Sequence, residues 1–379
     1  MTTMAENKDK KVLNVPHLRF PEFCGEWDSF KLVELGKFIG GGTPSSSNSS
    51  FWTGSIPWIS SSDIKEDNIN NISISRYITE EAIEKSATKY CPAPVILIVS
   101  RVGVGKVALS HTSLCTSQDF CNIIEIKCHP VFLSYNLLRT MKRKSREVQG
   151  TSIKGITSDE LQKMRVFIPK NKDEQNKISN LLALLDERIA TQTKIIEKLE
   201  SLIKGIANRV AEMGKPNVRI AECLECTSST LQESEVSDLG TYPVYGANGI
   251  VGYLDSYNTS DEAIYIVKDG SGVGSVIYVK GRCSATGTLN ILTAKQNYSL
   301  QFLYYLLKVF NYAPYKTGMA IPHIYFKDYG KAKIFCPSYA EQLQYVRMLD
   351  AIDIKLLTEK KILISLNSQK QYLLRQMFI

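Results

Sequence analysis

The chain has 379 residues, long enough for two domain-sized cores and the elements that join them. A composition 44% hydrophobic and 22% charged excludes a disordered or fibrous chain, and no apolar run reaches the 18 residues of a membrane-spanning helix. The net charge of +8 favours an anionic partner, and nine cysteines, an odd number without framework spacing, point to a reducing, cytoplasmic location.

Residues 1–15, opening MTTMAENKDKK, are polar, unlike a signal peptide, and read as a flexible tail. Residues 16–170 read as a β-rich domain, with strand-like runs at 95–100, 105–109 and 121–127 between Gly, Pro and Ser clusters. Arg139, Lys142, Arg143, Lys144 and Arg146 then form a basic run leading into Gly150-Thr-Ser-Ile-Lys154. Such a cluster neutralises backbone phosphates without reading sequence; the plainer alternative is a solvated helix face.

After Pro169, Asn171-x-x-Glu174 reads as a capping box opening a spacer helix over 171–214. Leu182, Leu185, Ile189, Ile196, Leu199, Ile203, Ile206, Val210 and Met213 alternate at spacings of three and four, a heptad seam broken by Gln192. Gly214 and Pro216 end it. A helix of about 40 residues spans roughly 60 Å.

A second β-rich domain follows over 215–337, with strand-like runs at 263–267, 275–280 and 288–293. Its Lys268-Asp-Gly-Ser-Gly-Val-Gly274 turn aligns with Arg101-Val-Gly-Val-Gly-Lys106 of the first. Where the first domain has its basic run, the second has Tyr304, Tyr305, Phe310, Tyr312, Tyr315 and Lys316, and several of these tyrosines must be core. Ser338-x-x-Glu341 opens a last helix over 338–379, whose seam is Leu349, Ile352, Leu356, Leu363, Leu366, Leu373 and Met377, interrupted by Glu359 and Lys370.

The two halves are copies. Residues 153–169 match 321–337 without a gap at a shift of 168, and 171–212 match 338–379 at a shift of 167. Glu174/Glu341, Gln175/Gln342, Leu182/Leu349, Asp186/Asp353 and Leu199/Leu366 are identical pairs. So long a period is a duplicated domain plus helix rather than a solenoid repeat. The fold class is therefore α/β (α+β), two globular β-rich domains separated by an antiparallel pair of long, coiled-coil-like helices, with a pseudo-two-fold internal repeat. Elements near such an axis meet their own counterparts, so Gln192 and Glu359 are expected to lie together.

The segments RFPEFCGEWDSFKLVELG, GGTPSSSN…FWTGSIPWISSSDI and YPVYGANGIVGY, with the two Pro-…-Glu-Gln helix starts, resemble the specificity subunit of type I restriction–modification enzymes from Pro16 onward. The resemblance implies two target-recognition domains, each reading half of an interrupted site on double-stranded DNA, and helices that space them and dock other subunits. It implies two copies of an adenine-N6 modification subunit using S-adenosylmethionine, and ATP-driven restriction subunits, with no cofactor or metal in this chain. Candidate DNA-binding residues are Thr43, Ser61, Asp63, Arg101, Lys106, the basic run, Lys154, Tyr245, Asn248, Lys268, Lys316 and His323. Half-sites presented to one face are separated by roughly 34–36 Å or a multiple of it.

Chemistry motifs are weak. No Asn/Asp-Pro-Pro-aromatic methyltransferase tetrapeptide occurs, and Gly103-Val-Gly-Lys106 lacks the Ser/Thr and upstream Gly of a phosphate loop. Asp119 with Glu125 and Lys127 reads as a half-buried strand rather than a nuclease set. Cys223-x-x-Cys226 has no second pair at zinc-ribbon spacing. The rival reading is a non-catalytic DNA-binding assembly protein with little sequence specificity; a self-contained methyltransferase or nuclease is weaker.

Overall fold

The computed structural model describes residues 13–148, 155–318 and 321–379. The chain forms two compact units: one runs to Thr191 and is completed by Leu363–Ile379, and the other is Gln192–Ile362.

In the first unit the elements are β1 (Asp28–Lys31), β2 (Lys37–Gly40), β3 (Ile56–Ile59), β4 (Arg76–Ile78), α1 (Glu80–Glu84), β5 (Tyr90–Cys91), β6 (Val95–Val99), β7 (Val107–Ser110), β8 (Leu114–Thr116), β9 (Phe120–Ile124), α2 (Pro130–Val148), α3 (Ser158–Lys163), β10 (Arg165–Ile168) and the first half of α4 (Lys172–Glu212). The second unit holds the rest of α4, then β11 (Val218–Arg219), α5 (Ile220–Cys223), β12 (Leu224–Ser228), β13 (Tyr242–Gly246), β14 (Gly249–Leu254), β15 (Glu262–Val267), β16 (Val276–Lys280), β17 (Ser284–Ala285), β18 (Leu289–Ala294), α6 (Leu300–Val309), α7 (Phe326–Tyr329), β19 (Lys333–Ile334) and most of α8 (Tyr339–Gln376).

The two units repeat one topology. An antiparallel sheet ordered β2-β9-β6-β7 in the first is β12-β18-β15-β16 in the second. A second sheet carries a parallel pair in both, β3 on β8 through Trp58↔Cys115 and β13 on β17 through Val244↔Ser284. A short ladder closes each domain beside its long helix, β1 on β10 and β11 on β19. Among the described residues, strand β5 has no counterpart in the second unit.

Central strand β6, VILIV, is buried at every residue because both its faces are covered. Ile96 and Ile98 point into the core under α2, with Phe132, Leu133 and Leu137, whereas Leu97 and Val99 point into a second core with Ile59 and Leu114. The period-2 alternation of a strand thus feeds two cores from one apolar run. Strand β15 does the same, Ile264 and Ile266 facing α6 and Ala263, Tyr265 and Val267 facing the other sheet. Each fully buried side chain of this kind contributes about 1.5–3 kcal/mol.

Repeated polar brackets tie each helix to its domain. Gln175 Nε2 donates to Pro169 carbonyl at 2.9 Å and its Oε1 accepts from His129 N–H at 3.0 Å; Gln342 bonds Pro337 at 2.9 Å and Ser299 N–H at 2.9 Å. Further along, Tyr135 hydroxyl donates to Asp186 at 2.8 Å and Tyr305 to Asp353 at 3.0 Å. In the second unit α4 and α8 run antiparallel. Gln192 Nε2 donates to both the carbonyl (3.1 Å) and the carboxylate of Glu359, Lys360 pairs with Glu200 at 2.6 Å, and Tyr345 hydroxyl reaches Met213 Sδ at 3.2 Å. The expected Gln192–Glu359 contact is therefore present, and Lys355 and Gln192 hold the Glu359 carboxyl below its ordinary range. In the seam, Leu182, Leu185, Ile196, Leu349, Leu356 and Leu366 are buried, and Ile189, Leu199, Ile352 and Leu363 half-buried.

Four sequence readings need correction. Asn171 does cap Asp173 N–H at 2.8 Å, but Glu174 does not close a box. It turns inward to Arg19 Nε at 2.7 Å and Trp27 Nε1 at 3.1 Å, because Trp27 buries an indole donor that needs an acceptor. Ser338, by contrast, donates its N–H to Glu341 at 3.0 Å. Met213 is 60% exposed rather than buried in the seam, since the helix is ending there. Of the tail, residues 1–12 lie outside the described residues, and Asn14 is tied to the domain, its carbonyl accepting from Trp27 N–H at 2.8 Å. Finally, the glycine-rich turns align one residue differently, with Ser100, not Arg101, in the place of Lys268 by backbone hydrogen bonds.

Candidate nucleic-acid interface

In the first unit, Thr43, Ser61, Asp63, Arg101 and Lys106 sit between strands, and the basic run lies on α2. Thr43, after β2, donates to Gln118 Oε1 at 2.5 Å, and Lys106 Nζ donates to the Ser61 carbonyl at 3.1 Å, so both loops are tied down. Asp63 is spent internally: it accepts from Ser60 N–H at 2.7 Å and pairs with Arg76, whose guanidinium lies 4.5 Å from the Trp58 ring. Arg101 is exposed in the β6–β7 turn. Beside it opens a cleft of about 710 Å³ lined by Gly40, Gly41, Gln118, Gly155 and Thr157 among others.

The basic run does not act as one patch. Arg139 Nη1 donates to the Ile379 carbonyl at 2.5 Å, and burial together with neighbouring Arg143 pulls its guanidinium below the ordinary value. Lys142 bonds both oxygens of Asp67, at 2.7 and 2.8 Å. These two serve the fold. Arg143 and Arg146 are exposed and, with Arg375 of α8, border a cleft of about 200 Å³, whereas Lys144 is half-buried. Lys154 lies outside the described residues.

In the second unit Tyr245 is half-buried on β13, edge-on to Tyr265 at 5.8 Å, and burial raises its hydroxyl pKa. Asn248 is exposed in the β13–β14 turn, Lys316 is exposed, and Lys268 is half-buried at the end of β15. His323 Nδ1 lies 2.6 Å from Asp269 Oδ1. Tyr305 and Tyr312 are core, at 1% and 6% exposure, and Tyr315 stacks on Phe310.

Sequence reasoning missed two features. Asp269 had a signal, a carboxylate inside a glycine-rich turn. The cluster of Arg282 over the Tyr257 ring (5.2 Å) and within 3.3 Å of Tyr242 hydroxyl had none. The parallel pairing of β13 with β17 brings Tyr242 and Arg282 together across 40 positions, and the Thr259–Cys283 bridge brings Tyr257 to them. Among the described residues no group of three or more His, Cys, Asp or Glu is placed to hold a metal. Cys223 faces Cys336 rather than Cys226, and that contact holds the Cys336 thiol below its ordinary pKa. Exposed cations and amides on turns, over packed sheets, suit contact with a polyanion.

Comparison with known proteins gives the chain's family and fold. The family described as "Type I restriction modification DNA specificity domain" matches residues 25–201 and again 217–368. The type I restriction enzyme MjaIX specificity subunit of Methanocaldococcus jannaschii is 34% identical over 186 residues, 47% of this chain and 42% of that protein. The EcoR124I/EcoR124II specificity subunit of Escherichia coli is 35% identical over 177 residues, 45% of this chain and 43% of that protein. The matched stretch thus spans less than half the length of either relative. The EcoprrI specificity subunit of Escherichia coli is 23% identical over 363 residues, 86% of this chain and 87% of that one. The crystal structure of a type I S subunit from M. genitalium superposes with a TM-score of 0.64 at 19% identity, covering 96% of this chain and 99% of that chain, and so shares the fold. Among the described residues no helix is long and apolar enough to cross a membrane.

Proposed function

The chain belongs to the type I restriction–modification DNA specificity domain family, and from that premise we propose that it is the specificity subunit of such a system, each unit reading one half of an interrupted DNA site. What supports this most is the duplication itself: one sheet order, repeated, under loops that differ in length and charge. A repeated scaffold with divergent loops is how one architecture reads two targets. Arg143 and Arg146, with Lys144, contact backbone phosphates, and Thr43, Ser61, Arg101, Lys106, Tyr245, Asn248, Lys268, Lys316 and His323 face the grooves.

The partners are double-stranded DNA, two copies of an adenine-N6 modification subunit, and restriction subunits. S-adenosylmethionine and ATP are held by those subunits, and this chain carries no chemistry. The exposed apolar residues Ile195, Leu202, Ile354 and Leu357 on α4 and α8 suit docking of partner helices.

The test is reconstitution. The purified chain should neither methylate nor cleave DNA, and methylation of one interrupted sequence should appear when a modification subunit is added. Robust methyl transfer by the chain alone would overturn the proposal. Exchanging residues 240–316 for those of another family member should change one half-site and spare the other. Replacing Arg143 and Lys144 with Ala should weaken binding to every sequence alike and flatten its salt dependence. Affinity that follows salt with no preference among interrupted sites would favour the assembly-protein reading instead.

A further inference from the structure

Three backbone hydrogen bonds recur at the turn that follows the central strand of each unit. Val99 N–H donates to Lys106 carbonyl at 3.0 Å, and Val267 N–H to Ser275 at 2.9 Å. Ser100 N–H donates to Asp119 at 2.8 Å, and Lys268 N–H to Thr288 at 3.0 Å. The loop that later returns to the domain adds the third: Ile156 N–H donates to Ser100 carbonyl at 2.8 Å, Ile324 N–H to Lys268 carbonyl at 2.9 Å. The junction is one object built twice. By this equivalence Arg101 stands where the second unit has Asp269, and Gly155 where it has His323.

The two versions carry opposite chemistry. A Cβ on Gly155 would fall 2.6 Å from the Ser100 carbonyl and 3.2 Å from Cα and Cγ of Arg101, so the arginine has its place only because glycine faces it. Arg101 is exposed and offers only donors. In the second unit the loop bridges Asp269 to His323 through the backbone, and Gly270 N–H bonds Pro322 carbonyl at 3.0 Å, so the two side chains stand together. Asp269 and His323 side chains are 36% and 35% exposed, leaving the second carboxylate oxygen as an accessible acceptor. A carboxylate on a surface that meets phosphates is repelled unless it accepts from a base.

We propose that this junction is a base-reading position in each unit, resting on the specificity-subunit reading above. Arg101 reads guanine through its O6 and N7 acceptors, and Asp269 accepts from the N4 amino group of cytosine. Adenine suits the carboxylate less, because its N6 donor sits beside the N7 lone pair. His323 is a positioning residue: its ring holds one Asp269 oxygen and aims the other. One repeated frame thus gives the two half-sites different letters by exchanging a donor for an acceptor.

The experiment measures binding of the chain, assembled with its modification subunits, to a DNA library randomised in both half-sites. Arg101→Ala should lower selectivity for guanine at one position of one half-site roughly 5- to 150-fold, and Arg101→Lys should restore part of it. Asp269→Asn should shift preference away from cytosine at one position of the other half-site. His323→Ala should blur that same position, with His323→Asn rescuing it by keeping a donor toward Asp269. Equal loss across all sequences, or unchanged selectivity in a variant that still binds, would overturn the assignment while leaving the specificity-subunit reading standing. A wild-type complex without any bipartite preference would remove both.

Discussion

The two helix–domain junctions look alike until their buried charges are compared. Each has a tyrosine donating to an aspartate on the long helix, but in the first unit Asp186 is buried and also pairs with Lys370, itself 2% exposed. Lys370 reaches further, to the carbonyl of Asp67. The residue equivalent to Lys370 at the helical shift of 167 is Ile203, so no cation stands in that place beside Asp353. Asp353 is half-buried, and a cavity of about 410 Å³ bordered by Ile203, Tyr305 and Lys308 lies against it. Closed burial demands a counter-charge, whereas an open cleft lets solvent do the same work. Duplication kept the aspartate; the packing around it decided what else was needed.

That difference can be broken. Lys370→Met should destabilise the first unit by about 3–5 kcal/mol, because it strands a buried carboxylate, and adding Asp186→Asn should recover part of the loss. Asp353→Asn should shift a urea midpoint far less. Equal midpoints for Lys370→Met and Asp353→Asn would refute the contrast.

The next largest effect concerns the helix starts. Glu174→Ala leaves the buried Trp27 indole without its acceptor and Arg19, which keeps the Gly25 and Cys24 carbonyls, without its counter-charge, a loss of about 3 kcal/mol. Glu341→Ala removes only an exposed cap on Ser338 and should lower stability slightly. Comparable losses for the two would mean that the inward turn of Glu174 adds nothing.

The glutamine brackets should instead behave alike. Gln175→Ala and Gln342→Ala each delete two hydrogen bonds to backbone groups, about 2 kcal/mol apiece, and a denaturation series that separated them widely would show that the duplication is not energetic.

The smallest effect is a pH dependence confined to the first unit. His129 Nδ1 accepts from Phe132 N–H at 3.3 Å and faces Ser179 Oγ at 3.1 Å, and burial lowers its pKa. Because the folded form binds the proton less readily, stability is full above the unfolded value of 6.5 and falls as pH drops below it. Ser299 caps the matching helix in the second unit and does not titrate there. Hydrogen-exchange protection across residues 130–140, corrected for the intrinsic pH dependence of exchange, should therefore fall between pH 7 and 5.5 while that of residues 300–309 stays unchanged, and His129→Ser should abolish the difference.

Much of the architecture was legible in one dimension. The duplication, the six strand-like runs, the two long helices and the meeting of Gln192 with Glu359 follow from spacing, since a seam of period 3.5 and a strand of period 2 are local properties of the chain. The polar interruption at Lys370 was also visible, but not its partner Asp186, 184 residues away, nor that Arg139 and Lys142 would be used inside the fold. Spacing says which face a side chain takes and nothing about what lies opposite. The site divides in the same way. Arg101 and Lys268 stood out as charged residues on glycine-rich turns, and His323 as a polar residue on a later loop. The pairing of Asp269 with His323 and the stacking of Arg282 on Tyr257 depend instead on distant segments that only the fold brings together. Local periodicity fixed the elements; desolvation and hydrogen-bond satisfaction, which depend on every neighbour at once, decided which charges the fold consumes and which it leaves exposed.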